Sequence, residues 1–246
     1  MGGGGERQVI DLTSQKTFAV ARTQGRRVLD ELSAKSILSA YGITVPRGVK
    51  VPPHCEPALD SIAPPFVAKL ISPDVIHKSD IGGVRVGLPD ASAACRAVRN
   101  IEELAYTRGM RLDCVLVEEM APPGLELVIG GIIDPRFGPV LMLGFGGVFV
   151  EILKDTAFRV CPITRWDAED MVNGLRGAPL LRGVRGTQAV DLRLIMETLL
   201  ALGGDDGLLI SLQDEIAELD INPLIVSAKG AYACDARIVL AAPMEP

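Results

Sequence analysis

The sequence predicts an α+β fold in which antiparallel hairpins alternate irregularly with helices. Strand-like segments follow one another through short turns, most clearly Glu126 to Ile133 and Pro139 to Leu143, which flank an Asp-Pro-Arg-Phe-Gly turn. Helical segments interrupt the strands without the regular β-α-β order of a doubly wound sheet. The proline-rich stretch Ala121-Pro122-Pro123-Gly124 is a candidate boundary between two lobes.

The length and composition are those of a globular protein with enough chain for two lobes. The 246 residues are 48% hydrophobic and 23% charged, which excludes a wholly disordered chain. We expect residues 1–25 to form a flexible tail and residues 26–246 to form the folded domain. Its smaller lobe would span about 60–121, and its larger lobe would combine 122–246 with the first helix.

Hydrophobic periodicity and turn residues predict the individual elements in order. In the first half these are a helix, two strands, a helix and a strand: Arg27 to Tyr41, Pro65 to Ile71, Gly82 to Leu88, Ser92 to Tyr106 and Cys114 to Met120. After the hairpin come a strand-like run, two helices and three strands: Gly147 to Leu153, Ala168 to Leu175, Asp191 to Leu202, Glu215 to Ile221, Leu224 to Ser227 and Ala231 to Ala236.

Charge and cysteine usage narrow the functional class. The formal net charge of -6 gives no basic footprint for nucleic acid. The longest uncharged stretch, Phe137 to Val150, has 14 residues, too few for a membrane span. The five cysteines are far apart and form no Cys-x-x-Cys pair, which favours reduced thiols and a cytoplasmic location.

The first candidate site is the segment Glu218-Leu219-Asp220-Ile221-Asn222-Pro223. On a strand, Glu218, Asp220 and Asn222 share one face, and oxygen-bearing side chains suit a hard cation such as Mg²⁺. A hairpin symmetric about Lys229 would set Asp235 opposite Pro223, one residue from Asn222. Asp220, Asn222 and Asp235 would then converge, unless this is only the solvated face of an amphipathic strand.

The second candidate site combines Lys69 with the loop Ser72 to Gly83. Lys69 stands in an otherwise apolar strand, where an unpaired ammonium is costly and a bound phosphate would neutralise it. Gly82 and Gly83 would let backbone amides approach an anion. A buried ion pair for Lys69 and a plain turn for the glycines remain the alternatives.

Within this loop, His77 is a candidate nucleophile. Neutral imidazole attacks phosphorus, and much of a histidine population is unprotonated near neutral pH. The alternative is an ordinary surface histidine. The second histidine, His54, lies in a proline-rich connector and receives no role.

The third candidate site is the strand that ends at Met120. Alternation places Glu118 and Met120 on one face and Glu119 on the other. Backbone groups at such a strand end can hydrogen-bond adenine, and a carboxylate such as Glu126 can bind ribose hydroxyls. A strand that simply ends in solvated glutamates is the alternative.

Other polar or glycine-rich segments give weaker signals. Gly144-Phe145-Gly146-Gly147 lacks the following helix that a dinucleotide loop requires. Several further side chains could contact phosphate or simply line the surface: Glu151, Lys154, Asp155, Arg159, Arg176, Arg182 and Arg185.

Taken together and in this order, these segments resemble a known family. Its most specific strings are Ala40-Tyr41-Gly42-Ile43-Thr44-Val45-Pro46, Ser72 to Val84, Val117 to Glu126, Glu218 to Leu224, Phe137 to Val140 and Val150 to Asp155. Over roughly Leu29 to Leu240 the chain resembles the nucleotide-binding β subunit of ADP-forming acyl-CoA (acetyl-CoA) synthetases, an ATP-grasp family. The resemblance implies an ATP-grasp fold, with ATP or ADP and Mg²⁺ held between two α+β lobes.

The resemblance also implies roles for individual residues. Lys69 would contact ATP phosphate, and the loop carrying Lys78, Gly82 and Gly83 would cover the phosphates. Glu118 and the backbone at Met120 would hold adenine, with Glu126 on the ribose. Asn222 and Asp235 would ligate Mg²⁺, with Asp220 nearby, and His77 in His-Lys-Ser-Asp would be phosphorylated and exchange phosphate with ADP.

The family's CoA-binding half is not part of this sequence, so the resemblance implies either a separate α subunit as partner or a module detached from a relative in which both halves are fused. Three other assignments stay open: a different ATP-grasp ligase such as a succinyl-CoA synthetase β subunit or a carboxylate–amine ligase, a non-catalytic nucleotide-binding regulatory subunit, and an ATP-grasp module of a lysine acetyltransferase. His77 within His-Lys-Ser-Asp favours the acyl-CoA synthetase over the other ligases, which need no nucleophile in this loop. Tight ATP binding without phosphate on the protein would favour the regulatory subunit, and no acetyltransferase segment is visible in this sequence. The sequence does not specify the acyl substrate, the choice between ADP and GDP, or the physiological direction.

Overall fold

The computed structural model describes residues 14–75, 77–147, 155–184 and 188–242, which form two compact units. The larger unit comprises residues 1–45 and 122–246, and the smaller unit is Pro46–Ala121. The chain returns from the smaller unit to the larger unit between Ala121 and Pro122, within the proline-rich stretch that the sequence indicates as a boundary. The smaller unit begins earlier than the predicted residue 60, because its first strand already pairs within that unit.

The chain starts with a helix where a flexible tail is predicted. Helix α1 covers residues 14–23 and buries Phe18 and Ala21 in the core of the larger unit. The prediction of a tail over residues 1–25 is therefore wrong for the described part of that segment. Two apolar side chains three positions apart give even this short helix a buried face.

Helix α2 (Glu31–Ala40) is shorter than the helix predicted from Arg27 to Tyr41. Asp30 caps its first turn, so the helix cannot extend further back. The preceding residues instead join the edge of the large sheet, since the Leu29 N–H donates to the Ile238 carbonyl at 2.9 Å.

The smaller unit is one antiparallel sheet covered by a helix. Its strands lie in the order β1-β4-β2-β3, and helix α3 packs against β2, β3 and β4. Asp90 caps α3 by accepting the Ala93 N–H at 2.7 Å. The bounds are β1 (Gly48–Val51), β2 (Phe66–Ile71), β3 (Val84–Leu88), α3 (Ala91–Thr107) and β4 (Cys114–Glu119).

The larger unit is an antiparallel sheet in the order β10-β8-β5-β6-β7, with β9 also paired to β8 and helices packed on one face. Leu219 and Ile221 point to that helical face and are buried, whereas Glu218 and Asn222 are exposed on the other. The bounds are β5 (Leu125–Asp134), β6 (Gly138–Phe145), β7 (Thr156–Val160), α4 (Arg165–Gly174), α5 (Ala178–Leu181), α6 (Leu192–Gly203), α7 (Leu208–Ser211), β8 (Ile216–Val226), β9 (Ala231–Ala233) and β10 (Ala236–Leu240).

The predicted β5–β6 hairpin is confirmed, with Asp134 paired to Gly138 at its turn. The Asp134 carboxylate accepts the N–H groups of Arg136 and Phe137 at 2.7 and 2.9 Å. Gly138 has φ +73°, the left-handed conformation that this type of three-residue loop requires.

The two strands predicted around Asn222 and Pro223 are one strand, β8. Proline has no N–H and normally interrupts a central strand. Here the neighbouring strand β5 shifts register between Leu127 and Ile129, which accommodates the interruption. The predicted last strand is divided instead, into β9 and β10, although the two keep the same register against β8 from Ala231 to Val239.

Two further points concern predicted segments. The strand-like run predicted from Gly147 to Leu153 lies outside the described residues beyond Gly147 itself, and β7 was not predicted. Within the described ranges, no helix combines the length and the apolar character needed to cross a membrane.

Candidate functional site

Lys69 and Glu118 form a buried ion pair on neighbouring strands of the smaller unit. The Lys69 Nζ lies 2.8 Å from Glu118 Oε2, and the two side chains are 8% and 3% exposed. Glu118 is directly opposite Val67, so it is diagonal to Lys69 on the same face of β2 and β4. The buried ion pair that the sequence left open is therefore present, and it brings together two of the predicted site residues.

Glu119 points away from Glu118 and is held by Arg47. The Arg47 guanidinium donates from Nε to Oε2 at 3.2 Å and from Nη2 to Oε1 at 2.5 Å. The Ala63 N–H also donates to Oε1, at 2.8 Å. Hydrogen bonding from Arg47 is the main reason that the pKa of Glu119 is lowered.

The backbone at Met120 is partly committed within the protein. Its N–H donates to the Pro65 carbonyl at 2.8 Å. The predicted contact between adenine and the Met120 backbone would therefore fall on its carbonyl oxygen rather than on its N–H. Met120 as a whole residue is 38% exposed.

The loop between β2 and β3 ends in a compact turn. In this turn the backbone N–H groups of Gly82 and Gly83 both donate hydrogen bonds within the loop. The Gly82 N–H donates to the Ser79 carbonyl at 3.0 Å, and the Gly83 N–H donates to the Lys78 carbonyl at 2.7 Å. With Gly82 at φ +76°, this is the hydrogen-bond pattern of a Schellman turn. In this conformation neither N–H is directed at an anion. The two glycines therefore form the plain turn that the sequence left open as the alternative to an anion site.

Gly83 has a second reason to be glycine. A Cβ at this position would lie 2.9 Å from the Lys78 carbonyl oxygen and 3.1 Å from the Leu70 Cβ. The close approach of the loop to β2 therefore depends on the missing side chain. His77 is exposed on this loop, and Lys78 is half-buried.

In the larger unit, Asn222 and Asp235 are directly opposite each other. The Asn222 N–H donates to the Asp235 carbonyl at 3.2 Å, and the Cys234 N–H donates to the Pro223 carbonyl at 3.0 Å. The sequence placed Asp235 opposite Pro223, so the predicted register was wrong by one residue. The actual register brings Asp235 closer to its predicted partner.

Asp220 lies two residues from Asn222 on the same face and opposite Arg237. Burial, followed by repulsion from Asp235, raises the pKa of Asp220; Glu218 adds to this, and Arg237 opposes it. Among the described residues, no group of three His, Cys, Asp or Glu side chains is close enough to enclose a metal ion. Asn222 would therefore have to contribute to such a site.

A row of directly paired residues crosses five strands on this face: Phe158, Met142, Gly130, Asp220 and Arg237. Because glycine occupies the middle of the row, the face is indented there. A cavity of about 300 Å³ lies over the indentation. Of the residues that line the cavity, Asp220 and Arg237 lie two residues along their strands from Asn222 and Asp235, respectively.

Glu126 is exposed at the start of β5, where two glycines approach it. The Gly146 N–H donates to the Glu126 carbonyl at 2.7 Å. A Cβ on Gly146 would lie 3.1 Å from the Glu126 backbone, and one on Gly147 would lie 3.3 Å from its carboxylate. The glycine-rich segment that does not fit a dinucleotide loop therefore packs beside a predicted site residue.

The weaker candidates have structural partners or lie outside the described residues. Asp155 is buried and accepts the N–H groups of Arg176 and Gly177, both at 2.7 Å. Arg159 pairs with Asp170. Glu151, Lys154 and Arg185 lie outside the described residues.

Sequence reasoning missed two arginines near the candidate sites. Arg47 is 72 positions from Glu119, and no local pattern connects them. Arg237 could have been located to within one residue, because the hairpin symmetry that led to Asp235 sets Arg237 opposite Ile221, the neighbour of its actual partner Asp220.

The fold and site together define the class of protein. The ATP-grasp domain family matches residues 20–240 of the chain. The two antiparallel sheets and the α+β composition agree with the fold predicted from the sequence. The chain therefore belongs to the ATP-grasp family.

Its relatives within that family are ADP-forming acyl-CoA ligases. The β subunit of acetate–CoA ligase (ADP-forming) I from Pyrococcus furiosus is 42% identical over 219 residues, which are 87% of this chain and 92% of that subunit. The 4-hydroxybutyrate–CoA ligase (ADP-forming) from Nitrosopumilus maritimus is 37% identical over 92% of this chain, but the match spans 33% of that enzyme.

A solved structure of acetyl-coenzyme A synthetase 1 from Korarchaeum cryptofilum matches with a TM-score of 0.80 and 40% identity. The match covers 93% of this chain and 100% of the other. That structure is a complex with coenzyme A and Mg-AMPPCP, in which a phosphohistidine segment points towards the nucleotide binding site.

Proposed function

We propose that this chain is the nucleotide-binding β subunit of an ADP-forming acyl-CoA synthetase. The complete reaction interconverts acyl-CoA, ADP and phosphate with the free acid, CoA and ATP. The proposal is supported by the relatives and, in the structure, by the opposition of Asn222 and Asp235 on one face of the β8–β10 sheet. This face carries carboxylate and amide oxygens, the type of ligand that Mg²⁺ prefers.

Asn222 and Asp235 would hold Mg²⁺, with Asp220 nearby. The residues fit the ion chemically: burial and the Asp235 charge disfavour the ionised form of Asp220, and a divalent cation would reverse that penalty. When bound, the ion would neutralise negative charge on the nucleotide phosphates.

In the smaller unit, Lys69 and Lys78 would place positive charge beside the phosphates. Lys69 is fixed by Glu118, so little side-chain freedom would be lost when a nucleotide binds. Gly82 and Gly83 would shape the loop as a turn, because their N–H groups donate within it. The contacts with the phosphates would then come from Lys69 and Lys78.

The adenosine would be recognised by three groups. Glu118 and the Met120 carbonyl would contact the adenine, and Glu126 would accept hydrogen bonds from the ribose hydroxyls. Met120 is assigned through its carbonyl because its N–H is committed to Pro65.

His77 would be the phosphoryl acceptor on this chain. A neutral imidazole nitrogen attacks the γ-phosphorus, the bond to the β,γ-bridging oxygen breaks, and ADP leaves with the bonding electrons. The product is a phosphohistidine, from which ADP recovers the phosphate in the reverse direction. Exposure of His77 on its loop is compatible with this exchange.

The partner would be a CoA-binding α subunit. In the Korarchaeum cryptofilum enzyme a phosphohistidine segment points towards the nucleotide binding site. By analogy, the cavity beside Asp220 and Arg237 would receive an approaching segment of the α subunit. Acyl and CoA recognition would then belong mainly to that subunit.

The test is phosphorylation by [γ-³²P]ATP and Mg²⁺, with and without a candidate α subunit. We expect acid-labile, base-stable label on this chain that disappears in His77→Ala. His54→Asn is the matched control, because His54 is the other histidine and its φ of +63° is tolerated by asparagine. The control should keep the label.

Absence of label from this chain in the assembled pair would contradict the assigned role of His77. Label that persists in His77→Ala would move the acceptor to another residue. Label on both subunits, with both signals lost in His77→Ala, is the result expected if phosphate passes from His77 to the α subunit. An α-subunit signal that persists in His77→Ala would mean that the α subunit is phosphorylated without His77.

A further inference from the structure

The pair Pro65 and Met120 ends the β2–β4 ladder with only one of its two possible hydrogen bonds. Phe66 is directly opposite Glu119, so the next position along sets Pro65 opposite Met120. The Met120 N–H donates to the Pro65 carbonyl at 2.8 Å. The reciprocal bond cannot form, because proline has no N–H.

This leaves the Met120 carbonyl without a donor from the opposite strand. A backbone carbonyl at a strand end is a strong acceptor that must find another partner, either water or a ligand. Met120 as a whole residue is 38% exposed, so solvent or a ligand reaches this end of the strand. The chemistry of Pro65 thus leaves the acceptor at this ladder position without its usual strand partner.

A second set of bonds fixes the backbone around this acceptor. On the β1 side, the Glu119 N–H donates to the Arg47 carbonyl at 2.9 Å, and the Arg47 guanidinium binds the Glu119 carboxylate through two nitrogens. The same carboxylate accepts the Ala63 N–H, two residues before Pro65. Arg47 and Glu119 therefore tie both segments that define the position of the Met120 carbonyl.

We propose that Pro65 is a specificity-determining residue: it makes the Met120 carbonyl an acceptor for the 6-amino group of adenine, while Arg47 and Glu119 position that carbonyl. This inference rests on the proposed nucleotide-binding function and deepens it. A 6-oxo purine, as in guanine or hypoxanthine nucleotides, would place its own acceptor against the carbonyl. The site would therefore select adenine nucleotides over 6-oxo purine nucleotides.

The first test compares ADP with IDP, whose hypoxanthine base carries a 6-oxo group, by equilibrium binding to the full chain with Mg²⁺. We expect the wild type to bind ADP at least about tenfold more tightly than IDP. Pro65→Ala supplies an N–H that competes for the Met120 carbonyl, and we expect it to reduce this ratio about threefold or more. Pro89→Ala is the matched control, at an exposed position between β3 and α3, and should leave the ratio unchanged.

A ligand lacking the 6-amino group, purine riboside diphosphate, completes a double-change cycle. If the amino group bonds to the Met120 carbonyl, its removal and Pro65→Ala should be non-additive. If the loss of affinity from removing the 6-amino group and the loss from Pro65→Ala simply add in the combined experiment, the assignment of Pro65 is wrong.

Arg47→Met tests the positioning role separately and does not depend on the fold tolerating Pro65→Ala, because the Arg47 side chain is 69% exposed. We expect a severalfold weaker affinity for ADP and a smaller ADP:IDP ratio, with thermal unfolding measured in parallel. Arg47→Lys should recover part of both, since it restores the charge but not the two-pronged contact. An unchanged ratio in Arg47→Met would overturn the positioning role.

The outcomes separate this inference from the proposed function. A wild-type chain that binds no adenine nucleotide with Mg²⁺ would contradict both. A chain that binds ADP but keeps its ADP:IDP ratio in Pro65→Ala and Arg47→Met would contradict only the inference.

Discussion

The end of β4 and the β8–β10 hairpin carry similar acidic side chains in opposite electrostatic settings. At the end of β4, Glu118 is paired with Lys69 and Glu119 with Arg47, at 2.8 and 2.5 Å. These contacts hold the strand end in shape before any ligand binds. The smaller unit therefore offers a preorganised surface.

The β8–β10 hairpin has an excess of negative charge instead. Asp220 lies within electrostatic range of Asp235 and Glu218, with Arg237 as the opposing cation, and its pKa is raised. Such an arrangement is costly without a bound cation and favourable with one. This difference fits the proposed function, in which the smaller unit would contribute a preformed surface and the larger unit would be stabilised by a bound cation.

The largest expected effect comes from breaking the buried pair in the smaller unit. Lys69→Met would leave the Glu118 carboxylate buried without its cation, and we expect a loss of about 3–5 kcal/mol in the free energy of unfolding. The double variant Lys69→Met with Glu118→Leu should regain most of that loss but not nucleotide binding. Urea unfolding measures the first effect, and ADP binding measures the second.

A single variant Lys69→Met that unfolds like the wild type would show that the pair does not stabilise the smaller unit. A double variant that binds ADP normally would remove Lys69 and Glu118 from the nucleotide site.

The next effect concerns the larger unit. Asp235→Asn keeps the shape of the side chain but removes the charge of the proposed Mg²⁺ ligand, and we expect about a 100-fold weaker Mg²⁺-dependent binding of ADP. Asp205→Asn, at an exposed position between α6 and α7, is the control. Titration of Mg²⁺ at fixed ADP gives the measurement; equal Mg²⁺ dependence in both variants would contradict the assigned ligand.

A smaller and opposite effect is expected for Asp220→Asn. Because the folded-state pKa of Asp220 is raised, stability is lost as pH rises from the ordinary aspartate pKa to that raised value. Without Mg²⁺ the variant should be more stable than the wild type at neutral pH by about 1 kcal/mol, and the difference should vanish at pH values below the ordinary aspartate pKa of about 4. Thermal unfolding across pH tests this, and added Mg²⁺ should stabilise the wild type more than the variant.

The sequence predicted the parts of the site that depend on strand alternation and hairpin symmetry. Alternation placed Glu118 and Glu119 on opposite faces, and symmetry brought Asp235 to within one residue of its true partner. The predicted register differs from the actual one by one residue because the prediction centres the turn between β8 and β9 on Lys229. In the structure, the paired residues are symmetric about a point between Ala228 and Lys229.

Contacts between distant segments could not be predicted in this way. The bond between Arg47 and Glu119 spans 72 positions and depends on the strand order of the smaller unit. The engagement of the Gly82 and Gly83 amides depends on the conformation of a whole loop, for which a pair of glycines is equally compatible with a turn and with an anion site. Helix α1 was missed because few apolar residues mark its buried face.

The smallest expected effect is a change in cysteine reactivity, which reports on the unfolding of the smaller and the larger unit separately. Cys161 is buried in the larger unit, and burial raises its pKa to about 11, so at pH 8 we expect it to resist thiol reagents in the folded protein. Cys114 is buried in β4 of the smaller unit, and Cys55 is exposed and should react at once. If Lys69→Met destabilises only the smaller unit, Cys114 should become reactive while Cys161 stays protected. Simultaneous labelling of both would mean that the two units unfold together, so that a charge buried in one determines the stability of the other.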